Sequence, residues 1–141
     1  MVVVLKFEGG YANHPNDPGG ATYQGVTTKV YDAFRESHLL PIQDVRLMLP
    51  EERDAIYRSG YWKPMGCDLE PWPMNLFLFD TAVNCGVRRA KLLLTPTPVD
   101  PRTYLERRKQ FYHRLVEKRP TLGVFLKGWL RRIAHLLTYL H

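Results

Sequence analysis

The 141 residues are enough for one domain, and 45% apolar residues are enough to fill its core. Charged residues at 24% and aromatics at 12% exclude a disordered chain, and the longest apolar stretch, Leu76–Phe79, is far too short to span a bilayer. Twenty Lys and Arg against 14 Asp and Glu leave +6, a field suited to an anionic polymer (nucleic acid, membrane surface or cell wall) without choosing among them.

In chain order, Met1–Phe7 is apolar and runs into Glu8-Gly9-Gly10, which predicts one or two helical turns stopped by glycine. The start lacks the cationic region, apolar run and small-residue cleavage site of a secretory leader. That pattern predicts a soluble, cytoplasmic chain without stable membrane insertion. Tyr11 to Thr28 is so dense in Asn, Asp, Pro and Gly that it excludes a helix. A small β-hairpin is expected near Asp17–Val26, with Asp17–Gly20 as its turn. Thr27 or Thr28 then caps a helix to about Ser37, with Val30, Tyr31 and Phe34 on one face.

Asp44 is placed to cap a short turn, and Pro50-Glu51-Glu52 opens a helix to about Arg58, since proline and acids both suit a helix start. Residues 63–73 read as loop, and Met74 to about Leu94 as the most apolar helix, expected at the centre of the fold. Thr95-Pro96-Thr97-Pro98 is a stiff link. Asp100-Pro101 starts a helix to about Lys118, Pro120 breaks it, and from Leu122 apolar residues recur in steps of three and four to Leu140. The prediction is a mainly α single domain, 1–141, with a core over 1–94, a link over 95–103 and a C-terminal helical pair over 104–141.

Cys67 and Cys85 make no CxxC pair and read as buried thiols. The five histidines form no HExxH or other ligand spacing, so no metal is expected. Neither a phosphate-binding glycine loop nor a GxSxG elbow occurs.

The chemistry-bearing residues cluster early. Glu8 closes the first helix, Asp17 lies nine positions on, and Thr22 five beyond that. Cleaving a glycosidic bond takes a carboxylic acid at the leaving oxygen and a group opposite that stabilises the cation or positions water. A carboxyl desolvated at a helix end stays protonated near neutrality, while a second one on a solvated loop stays ionised. Spacing alone leaves the structural alternative open, in which Asp17 ties down the glycine turn and Thr22 is a strand residue.

The Glu, Asp, Thr order is similar to that of bacteriophage-type lysozymes. More specifically, Glu8-Gly9-Gly10-Tyr11, Asp17-Pro18-Gly19-Gly20-Ala21-Thr22 and Gly25-Val26-Thr27 resemble the signature of glycoside hydrolase family 108. Ala55-Ile56-Tyr57, Tyr61-Trp62 and Phe79-Asp80-Thr81-Ala82-Val83-Asn84-Cys85-Gly86 continue the likeness, and Gly128-Trp129-Leu130-Arg131-Arg132 extends it more weakly. The resemblance implies a lysozyme-like fold and a cofactor-free N-acetylmuramidase acting on bacterial peptidoglycan, as a phage or prophage endolysin or a secretion-assisting factor. By the same resemblance Glu8 is the catalytic acid, with Asp17 and Thr22 opposite it. Tyr11, Tyr61 and Trp62 become candidate sugar platforms, and Asn84 a candidate partner for an N-acetyl group or a brace of its helix end. Asp80, inside an apolar run, is expected to satisfy backbone donors. A monomer is favoured. Two other readings remain: a wall-binding or secretion-assisting protein without turnover, and a basic DNA-binding protein, which the charge alone supports.

Overall fold

The computed structural model describes residues 20–140. The expected first helix, Glu8, Tyr11 and Asp17 lie outside the described residues. The chain divides between Gly60 and Tyr61 into two compact units.

The described part of the first unit opens with an antiparallel hairpin, β1 (Thr22–Tyr23) and β2 (Val26–Thr27), pairing Thr22 with Thr27 and Tyr23 with Val26. Its turn is Gln24-Gly25, not Asp17–Gly20 as the glycine density suggested. Gln24 (φ 51°) and Gly25 (φ 80°) are both left-handed, which a two-residue turn needs to match strand twist. Helix α1 (Thr28–Ser37) follows at once, and the Thr27 side chain accepts the Val30 amide at its start. Tyr31 is buried on α1, but Val30 is 46% exposed, so the apolar face is narrower than its spacing implies. Asp44 caps a single 3-10 turn, Val45–Leu47, and α2 (Pro50–Tyr57) begins at Pro50 as expected.

Glu52 organises this unit. Its Oε1 accepts the Leu49 amide at 3.0 Å and the Tyr31 hydroxyl at 2.8 Å, and its Oε2 accepts Arg35 at 3.1 Å. Gln43 donates to the Tyr31 oxygen, and Arg35 also reaches the Pro41 carbonyl. Burial alone would raise the Glu52 pKa, but the donors from Leu49, Tyr31 and Arg35 outweigh it and hold the carboxyl below the ordinary carboxylate range.

The second unit is built round α3 (Met74–Cys85), buried over most of its length. The expected single helix from Met74 to Leu94 is two, because Gly86 (φ 90°, ψ 152°) ends α3 and starts α4 (Val87–Leu92) in a conformation open essentially only to glycine. Within the expected loop, Cys67–Leu69 forms a 3-10 turn. Helix α5 (Pro101–Lys118) starts at its Asp100 cap, a 3-10 turn follows at Pro120–Leu122, and α6 (Gly123–Leu137) closes the chain. The Tyr104 hydroxyl donates to the Ala90 carbonyl and Arg107 to those of Leu93 and Pro96, tying α5 to the end of α4 and the proline link.

Among the described residues Asp80 accepts from arginines rather than from backbone donors. One of its carboxylate oxygens accepts Arg108 Nη1 at 2.7 Å, and the group also takes Arg132 through Nη2 at 3.0 Å and Nε at 3.1 Å. Mid-helix backbone amides already have carbonyl partners, so a carboxylate there is left to find cations. Arg108 also donates to Thr81 and, through Nε, to the Tyr112 oxygen.

Two expectations follow. Asp80→Asn leaves two arginines facing a neutral group in the core, and should cost about 3–5 kcal/mol of unfolding free energy in a urea titration. Glu52 has a folded pKa below its unfolded one, so its contribution is complete above about pH 4.3 and fades as pH falls through the lower folded value. Glu52→Gln should therefore lower stability at neutral and alkaline pH and flatten the acid limb between about pH 5 and pH 3, so that the variant and the wild type converge in acid, as read by thermal unfolding across that range.

Candidate functional site

The position of Thr22 is set by contacts on both sides of it. Just before it, the Ala21 carbonyl accepts both the Thr28 amide (2.8 Å) and the Thr28 hydroxyl (2.9 Å). Gly20 is left-handed (φ 81°), so the chain enters the hairpin by a path suited to glycine. Just after it, the turn is anchored to α2: the Tyr57 hydroxyl donates to the Gln24 carbonyl at 2.7 Å and Arg53 to the Gln24 side chain at 2.8 Å. Thr22 therefore sits half-buried on a short strand held at both ends. Glu8, Asp17 and Tyr11, the residues expected beside it, lie outside the described residues.

In the second unit, Tyr61 and Trp62 close a π-helical turn that continues from α2, and both are half-buried. The Trp62 indole N–H donates to Asp68 at 2.8 Å, and its ring meets Phe79 edge-on at 5.4 Å. With that donor spent, Trp62 can offer a ligand its ring surface but no hydrogen bond. This is what a sugar platform requires, because pyranose C–H groups pack on aromatic faces. Asp68 was not singled out from sequence; its only signal is its place in the Pro/Gly-rich stretch just after Tyr61-Trp62.

Asn84 lies at the C-terminal end of α3, and its side-chain oxygen accepts the Tyr112 hydroxyl and the Cys85 thiol. It braces the helix end against α5, leaving its amide nitrogen without a partner among the described residues. Burial raises the Tyr112 pKa well above that of free tyrosine despite Arg108 beside it, so its hydroxyl stays protonated and keeps donating to Asn84. Both cysteines are free thiols. Burial, helped by Asp68 and Glu70, pushes the Cys67 thiol up to about 12, which makes it an inert core group.

Arg108, like Asp68, is a residue that sequence reading missed in this unit. It falls on the buried stripe of α5 with Tyr104, Leu105 and Tyr112, and a cation at an inward helical position was the available signal. Among the described residues no group of three or more His, Cys, Asp or Glu gathers to hold a metal. A groove of about 240 Å³ runs between α5 and α6, floored by Leu105, Leu130 and Ile133 and edged by Arg102, Glu106 and Lys109; it contains none of the predicted site residues.

None of the curated proteins matches this chain. The solved structure of Brucella abortus SagA is similar to it, with a TM-score of 0.72 and 23% sequence identity over 98% of this chain and 89% of that one. At that identity the likeness speaks for the fold, which is mainly α and lysozyme-like with a small hairpin near the N-terminus. The family model described as glycosyl hydrolase 108 matches residues 1–86, more than half of the sequence, and the chain belongs to that family.

Proposed function

We propose that the chain is a peptidoglycan hydrolase of the N-acetylmuramidase type, cutting the β-1,4 bond between N-acetylmuramic acid and N-acetylglucosamine. The observation that carries this reading is the family match over residues 1–86, which takes in Glu8, Tyr11, Asp17, Thr22, Tyr61, Trp62 and Asn84 together. Glu8 protonates the leaving glycosidic oxygen. Asp17, or a water oriented by the Thr22 hydroxyl, acts on the opposite face of the sugar. Trp62 and Tyr61 supply ring surface for the glycan, and the Asn84 amide nitrogen addresses an N-acetyl carbonyl. Water is the only co-reactant, so no cofactor enters. A carboxyl separation of about 5–5.5 Å gives a retained product and about 6.5–9.5 Å an inverted one.

In this reading the enzyme is a monomer that reaches the wall after release from the cytoplasm, as a phage or prophage lysin does. The rival reading keeps the fold and the wall affinity without turnover. Removing a general acid typically lowers rate about 10²–10⁴-fold, so Glu8→Gln should lose clearing of purified sacculi by that factor while still co-sedimenting with them. Mass analysis of wild-type digests should show free muramic-acid reducing ends. Glucosamine ends or cleaved peptides would reject the bond assignment. Equal clearing by wild type and Glu8→Gln, or none by either, would leave only the binding protein.

A further inference from the structure

The net charge of +6 is not spread along the chain. Residues 1–117 hold 15 Lys and Arg and all 14 Asp and Glu, whereas residues 118–141 hold five cations and no acid. One of the five, Arg132, is buried on Asp80; the other four, Lys118, Arg119, Lys127 and Arg131, are exposed and make no ion pair among the described residues. Lys118 and Arg119 stand where α5 ends, and Lys127 and Arg131 follow about one and two turns into α6, beyond the Pro120–Leu122 turn. The nearest acid in sequence is Glu117.

The same tip shows hydrocarbon to solvent. Val124 is 80% exposed and Phe125 53% exposed. Val124, Lys127 and Arg131 are spaced at i, i+3 and i+7, so they share one exposed ridge of α6, with Phe125 beside it. The Phe125 ring is held in place: it stacks on Trp129 at 5.8 Å, and Trp129 stacks on buried Tyr112 at 4.8 Å. An exposed ring braced in this way loses little freedom on docking.

From this juxtaposition we infer that the α5–α6 tip is a docking surface for an anionic lipid bilayer. Cations alone would suit any polyanion, but two exposed apolar side chains set among four unpaired cations match the boundary between acidic headgroups and acyl chains. No helix among the described residues is long and apolar enough to cross a membrane, so the contact is with the surface. The tip lies beyond the residues matched by the family model, and the inference does not depend on the glycan-cutting reading.

The test is co-sedimentation of the full chain with phosphatidylcholine vesicles, with and without phosphatidylglycerol. Binding should require the anionic lipid and weaken with added salt. Lys127→Gln with Arg131→Gln should lower partitioning about 25-fold, roughly fivefold per cation removed. Val124→Asp should weaken it as well, and sacculus clearing should be unchanged in both variants. Circular dichroism checks that each variant folds. Absence of binding to the anionic vesicles, or binding that survives both sets of substitutions, overturns the inference. So does tighter binding to sacculi or duplex DNA that needs the two cations but ignores Val124→Asp, because the face would then belong to a polymer.

Discussion

The second unit depends on one carboxylate placed where none would be chosen for stability alone. Asp80 is fully buried on α3 and draws Arg108 from α5 and Arg132 from α6 to the same point. Each ion taken from water costs several kcal/mol, and the attraction between them roughly offsets that cost only with good geometry and further hydrogen bonds. Arg108 finds most of those bonds, at Thr81 and Tyr112, yet its buried Nη2 has no partner among the described residues. A core of leucines would hold three helices together as firmly. What the ions add is discrimination: slipping any of the three helices by one residue would strand a charge in hydrocarbon, which costs far more than a mispacked methyl group. Asn84 benefits directly, since the Tyr112 hydroxyl that binds it is itself positioned by Arg108.

The fold was legible wherever a local interaction decides the conformation. Asp44 caps the turn it was expected to cap, Asp100 caps the helix expected to start at Asp100-Pro101, and of Thr27 and Thr28 it is Thr27 that caps α1, because a short polar side chain before a helical turn competes for its free amides. Pro50 and Pro101 sit at helix starts because a missing N–H costs nothing there. The errors came where backbone conformation turned on one residue among several candidates. Among the glycines of the first loop, Gly25 makes the hairpin turn because it follows Gln24 in a left-handed pair, and spacing does not single it out. Gly86 lies within a run whose apolar pattern continues past it, and only its positive φ shows that the helix stops.

The site was legible in a different way. Glu8, Asp17 and Thr22 carry little weight by spacing and draw it from the ordered motifs around them, which fall within the residues matched by the family model. Motifs say which residues recur together but not how each is held. The Trp62 donor is occupied by Asp68, six residues on across a loop, and the Asn84 oxygen by Tyr112, 28 residues away. Both partners come from tertiary contacts that no local pattern announces, and both narrow what the predicted residues can do for a ligand.

Arg131 and Arg132 show why composition could not allocate the charge. They are adjacent and chemically identical, yet one turns to solvent beside Lys127 while the other is buried on Asp80. Successive residues on a helix point about 100° apart, so a pair straddling the edge of the apolar stripe is divided between core and surface. The buried member neutralises an acid and adds nothing to the outer field. The exposed one, with Lys118, Arg119 and Lys127, stands on a segment with no acid to offset it. The chain's excess charge is therefore concentrated from the end of α5 to the middle of α6, where the first turn of α6 also exposes Val124 and Phe125.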